Sequence, residues 1–228
     1  MSGIVTHLAI ADKIYTLLGG DIIKNLPLFF CGNIAPDAVH AKKDYHRIDK
    51  LHSHLCEGIC LYGYGSPENA KLFQDRINEF VSNYYLPSCE NKDLYLGYIV
   101  HLLVDQLDSF AVCNYLEEHM RNNGFNDDKL GLYNSIIEEV NHGGYREFFS
   151  ISANEYNFKA NVLYELEEVW DYEVKDYIDR NELNISKRWV INNYFSSDQI
   201  QDSNKHDRAI KFIDHASTNI RARLRGIV

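Results

Sequence analysis

Leu96-Gly97-Tyr98-Ile99-Val100-His101-Leu102-Leu103-Val104-Asp105 is the stretch that decides how this chain folds. Leu96, Ile99, Val100, Leu103, Leu107 and Phe110 recur at helical core spacing, and the positions between them are largely apolar too. A helix that is apolar nearly all round belongs inside a protein. Two ionisable residues, His101 and Asp105, nevertheless interrupt it one turn apart. Burying an unpaired carboxylate is costly, so Asp105 needs a cation, a set of hydrogen-bond donors or a raised pKa. A divalent metal satisfies both residues, because i and i+4 side chains converge on one point and imidazole with carboxylate suits zinc. On this helix alone, a hydrogen bond between His101 and Asp105 satisfies them equally well.

Outward from this helix the chain keeps a helical rhythm. His7, Ala11, Ile14 and Leu18 predict a helix over 7–18, with His7 on the apolar face and Gly19-Gly20 as the stop. Residues 26–34 are apolar and aromatic, and Gly32-Asn33 and Pro36 cut them short. Pro36 biases Ala35 towards extended backbone and puts Asp37 at a turn or helix start. Leu51, Leu55, Ile59 and Tyr62 predict a helix carrying His54, closed by Gly63-Tyr64-Gly65-Ser66-Pro67. Helices over 68–86 and 93–110 follow, separated by Leu86-Pro87-Ser88. Beyond them the periodicity predicts helices at about 112–122, 127–140, 157–180, 185–195 and 205–225. With no alternating strand pattern and no fixed repeat, the reading is all-α: a multi-helix bundle enclosing a metal site. It forms a single domain over 1–228, with a metal-site half at 1–110 and a more polar helical half at 111–228.

Composition narrows the chemistry. The 45% hydrophobic and 25% charged residues are ordinary for a globular protein with a sizeable core. A formal charge of -10 repels polyphosphates, so nucleic acid is a poor partner and any phosphate chemistry needs local cations. The chain shows no basic, apolar and cleavage-site pattern at Met1–His7 and no apolar run long enough to span a membrane, so a cytoplasmic protein is expected. The five cysteines form no CxxC pair, and Cys56 with Cys60 reads as two small residues on an inner helical face.

Histidines are dense between Val39 and Leu55, where His40, His46, His52 and His54 fall together. A solvated loop explains His46, and explains His40 and His52 as well as ligation does. His54, beside Leu55, is better placed. Asp37 after Pro36 reads as a turn or cap when taken alone. Four segments, each offering a histidine or aspartate in an apolar setting, nevertheless supply the imidazoles and carboxylates of a hydrolytic metal site: His7, Asp37, His54, His101 and Asp105.

Thr6-His7-Leu8, Gly32-Asn33-Ile34-Ala35-Pro36-Asp37, Ser53-His54-Leu55 and the His101–Asp105 helix, in this order, resemble the zinc-dependent phospholipase C family, which is related to the S1/P1 nucleases. The resemblance covers roughly residues 1–110. It implies an all-α bundle around a zinc cluster that cleaves phosphodiesters by a metal-activated water. It further implies one zinc on Asp37, His54, His101 and Asp105, a second on His7 with Asp105 as a bridge, and Asp37 as the catalytic carboxylate beside the attacking water. A phospholipid headgroup or other small phosphate ester is the implied substrate. The chain departs from the pattern at two places. Ala111 stands where a third zinc expects a histidine, with no later HxxxE or HxxxD, and the chain begins Met1-Ser2 where secreted members expose a tryptophan. His119 and His142 are the candidates to substitute.

Two other readings compete. One is a regulatory helical module that keeps a structural metal without hydrolysis, which the missing third-site histidine favours. The other is a phosphohydrolase of the HD type, suggested by His206-Asp207, although their setting in Asn204-Lys205-His206-Asp207-Arg208 is that of a solvated face.

Overall fold

The computed structural model describes residues 3–59, 67–122, 151, 156, 162–169, 171–194 and 203–228. Eight α-helices lie in these segments: α1 (Ile4–Leu18), α2 (Leu26–Ile34), α3 (Arg47–Ser53), α4 (Pro67–Phe80), α5 (Lys92–Asn122), α6 (Val162–Glu167), α7 (Arg180–Tyr194) and α8 (Ser203–Leu224). Among the described residues there is no strand, only an isolated antiparallel bridge between Val174 and Ile178. No described helix is long and apolar enough to cross a membrane.

The pair α2 and α5 forms the centre. A Cβ on Gly32 would collide with the Leu94 carbonyl, and one on Gly97 with the Phe29 carbonyl while lying 2.8 Å from the Asn33 nitrogen. Only glycine allows the two backbones to touch like this. Asp93 fixes their register from the other end, its Oδ2 accepting the Lys24 and Asn25 amides at 3.1 and 2.6 Å. Asn25 caps α2 by accepting the Leu28 amide at 3.1 Å. Helix α1 packs on α2, α5 and α8, and its residues from Ile4 to Asp12 are buried on every side rather than along one face.

Several boundaries differ from the sequence expectations. Ala35 is helical, with φ -62° and ψ -40°, not extended. Pro36 lacks the N–H that would pair with the Gly32 carbonyl. The Ala35 amide takes that carbonyl, and the chain tightens into a 3-10 helix, Ala35–Ala41, without leaving helical space. The helix expected over 51–62 is instead α3, which begins after a capping box between His46 and Asp49 and ends at Ser53. Its end is a Schellman motif. The Cys56 amide reaches the Leu51 carbonyl at 2.9 Å and the Leu55 amide the His52 carbonyl at 3.0 Å. Leu55 occupies the left-handed position at φ 54° without being glycine, held there by burial of its side chain. His54 therefore sits at the C-cap and not within a helix, and Cys56 lies in the turn beyond it.

The helices expected at 93–110 and 112–122 are one, because nothing in Phe110-Ala111-Val112-Cys113 breaks a helix. Of the long helix expected over 157–180, the described residues form α6 and then, past Glu167, turn through Asp171 and Asp176, both at positive φ, to make the Val174–Ile178 bridge. Short aspartate side chains tolerate that conformation, and Val174 and Ile178 still reach the core. Helix α7 starts earlier than expected because Asp179 and Glu182 form a capping box. The helix expected at 127–140, together with Cys60, Tyr62 and the break at 63–66, lies outside the described residues.

Candidate metal centre

All five expected side chains meet where α1, the 3-10 helix, the end of α3 and α5 converge. Four different segments deliver them, with His101 and Asp105 sharing α5. Gly97 brings α5 onto α2, and one turn later the His101 Nδ1–H donates to the Asn33 carbonyl at 2.7 Å. That bond fixes the tautomer and turns the Nε2 lone pair into the cluster. His54 is set in the same way from the Schellman turn, its Nδ1 lying 3.0 Å from both the Lys50 carbonyl and the Ser53 hydroxyl. Tyr98, stacked on Phe80 and buried, donates its hydroxyl to the Ser53 carbonyl and ties that turn to α5. Asp37 comes from the first turn of the 3-10 helix. His7 comes from buried α1, its ring stacked on His101 at 3.9 Å and 10°.

The separations decide what the cluster can do. His7 Nε2 lies 3.3 Å from Asp105 Oδ1. His54 Nε2 lies 3.4 Å from both Asp37 Oδ1 and Asp105 Oδ2, while His101 Nε2 lies 3.6 Å from Asp105 Oδ2 and 4.0 Å from Asp37 Oδ2. These are longer than good N–H···O bonds, and His7 Nδ1 and Nε2, His54 Nε2, His101 Nε2 and both Asp105 oxygens are buried with no hydrogen-bond partner. Such orphaned atoms are expensive unless something binds them. Two ligand atoms about 2.0–2.1 Å from a tetrahedral ion stand about 3.3–3.4 Å apart, so the spacing suits a shared metal better than direct pairing. Two overlapping groups could hold an ion: His7, His101 and Asp105, and Asp37, His54 and His101. The direct His101–Asp105 hydrogen bond that the sequence left open is not formed.

Charge agrees with this. Burial lowers the pKa of His7, with neighbouring His101 acting the same way, and burial lowers that of His54, so both are ready as neutral ligands. At His101 burial opposes protonation, but Asp105 and Asp37 outweigh it and raise the pKa. Burial would raise both aspartates. Lys50, His54 and His101 instead hold Asp37 well below the ordinary carboxylate range, and His101 and His7 do the same for Asp105. With His101 neutral as a metal ligand, two carboxylates face one ammonium, which leaves room for a cation.

The remaining candidates separate clearly. His40 stands at the rim, 3.8 Å from Asp37 Oδ1, in neither ligand group. His52 points away, 3.0 Å from Glu57 and stacked on Tyr177. His46 caps α3. His206 and Asp207 lie on α8, in neither ligand group, and Asp207 is exposed. The His119 side chain and His142 lie outside what is described. Ala111 is on α5, against the core. Lys50 is the residue that the sequence reading missed. Its ammonium donates to Asp37 Oδ1 at 2.8 Å, and its position four residues before His54 was the available signal.

In comparison with known proteins, no family model, no curated protein and no solved structure matches this chain.

Proposed function

We propose that this chain is a zinc-dependent hydrolase of phosphate esters with a phospholipase C-like site. The observation that carries the reading is the set of buried, hydrogen-bond-free nitrogen and carboxylate atoms of His7, His54, His101 and Asp105 at metal-ligand spacing. Asp37, His54, His101 and Asp105 would hold one ion, and His7 with Asp105 a second. A divalent ion bound there supplies a water of pKa about 7 and a positive charge for the phosphoryl oxygens. Asp37 is the ligand with an open face, its side chain 27% exposed against 5% or less for the other four, and is placed to accept the proton of an attacking water. His54 and His101 keep their Nε2 lone pairs aimed inward by committing Nδ1 to backbone carbonyls. The stacked His7 and His101 rings exclude solvent from the inner side.

A second reading is a regulatory module with a structural metal. The near-complete burial of four ligands favours it, since structural sites are closed. Hydrolysis of bis(p-nitrophenyl) phosphate and p-nitrophenyl phosphate by metal-loaded wild type and His101→Ala separates the two. The enzyme reading expects turnover that falls by about 100-fold or more in the variant. A metal-replete wild type without turnover of either ester overturns it in favour of the module.

A further inference from the structure

We infer that Lys50 turns the mouth of this centre into a subsite for a phosphate-type oxyanion, an inference that rests on the metal reading above. The cluster meets solvent at Asp37, and what a ligand encounters there is set by the groups around that carboxylate. Lys50 Nζ lies 2.8 Å from Asp37 Oδ1 and 3.4 Å from His40 Nε2. His40 is half exposed and leans on the Tyr45 ring at 4.6 Å. An ammonium has three donors. Asp37 takes one and His40 faces a second, which leaves a third on a side chain that keeps 18% of its surface open.

Charge makes this ammonium decisive. Imidazoles that bind through a lone pair are neutral, so a single divalent ion with Asp37 and Asp105 sums to zero. Lys50 makes the centre net positive within a chain of formal charge -10. The residue is also rigidly placed. Its carbonyl accepts the His54 Nδ1–H at 3.0 Å, so the same position orients one ligand and aims the cation. A lysine locked in its pair with Asp37 would favour an anion only through the net charge of the centre, whereas one that binds the guest adds a direct charge-assisted hydrogen bond to it.

Cobalt(II)-loaded full-length protein gives a test that does not depend on turnover, because ligand exchange at the ion shifts its visible absorption. Inorganic phosphate and neutral imidazole are titrated into wild type, Lys50→Met and Lys50→Arg. Lys50→Met is expected to keep its cobalt spectrum, to lose phosphate affinity by at least about tenfold and to hold imidazole within about twofold of wild type. Lys50→Arg keeps phosphate affinity within about threefold, since charge survives. Unchanged phosphate affinity in Lys50→Met, or an equal loss for both guests, overturns the subsite while leaving the metal centre standing. A wild type with no cobalt spectrum overturns the metal reading and the subsite with it.

Discussion

The two segments that deliver His101 and His54 reach the same point by opposite means. On α5 the ligand rides on regular helix, one turn beyond a glycine that lets two backbones touch. At the end of α3 it sits on a C-cap, beside a leucine in left-handed backbone. Regular geometry is specified by the residues that repeat along it. Irregular geometry is specified by what the turn is packed against, here the Tyr98 hydroxyl and the pocket that buries Leu55.

The strongest way to break the α5 side is Gly97→Ala. The added methyl would meet the Phe29 carbonyl, and separating α2 from α5 is expected to cost about 3 kcal/mol or more, read as a lowered denaturation midpoint together with lost metal affinity. The α3 side is sharpened by comparing Leu55→Ala with Leu55→Gly. Both lose the buried side chain, at roughly 2–3 kcal/mol. In left-handed backbone glycine should then be the more stable of the two by about 1 kcal/mol. Were residue 55 inside a helix, alanine would lead by a similar margin. Equilibrium unfolding of the pair therefore reports the turn directly.

That pair also marks where the sequence stops being legible. The all-α class and the buried α5 with its two ionisable residues follow from periodicity, because side chains at helical spacing must share a face. The end of α1 follows from Gly19-Gly20, whereas its start at Ile4 lies three residues before the expected one. His101 and Asp105 were readable on physical grounds, while His7, Asp37 and His54 needed the order of motifs in a resemblance. The ending of α3 was not readable, since Leu55 carries none of the marks of a C-cap and Leu51, Leu55 and Ile59 keep a helical rhythm through the turn. Lys50 escaped for a related reason. On a short polar helix it looks solvated, and only the fold brings it to Asp37.

A smaller effect, about 1–2 kcal/mol, is expected for Tyr98→Phe, which keeps the ring on Phe80 and leaves the buried Ser53 carbonyl without its donor. Its thermal melt should fall, and His54 should loosen ahead of His101 in imidazole NMR spectra. The smallest effect concerns pH in metal-free protein. His7 and His54 have folded pKa values below their unfolded 6.5, so the unfolded state binds more protons and their contribution is lost as pH falls below about 6.5. His101 is shifted upward and acts in the opposite direction, losing its contribution as pH rises through its folded pKa. His7→Phe, which removes one of the two downward-shifted groups, should make the melting temperature fall less between about pH 7 and 5 than it does in wild type. A steeper slope in the variant would show that His7 is not held neutral by burial.

The metal itself is tested most directly by elemental analysis of protein purified without chelator, alongside Asp105→Ala. Wild type should carry about one equivalent or more of a divalent transition metal, zinc foremost, and the variant almost none while remaining helical by circular dichroism. A folded wild type that carries no metal, and whose melting temperature does not rise when zinc is added, would contradict the centre.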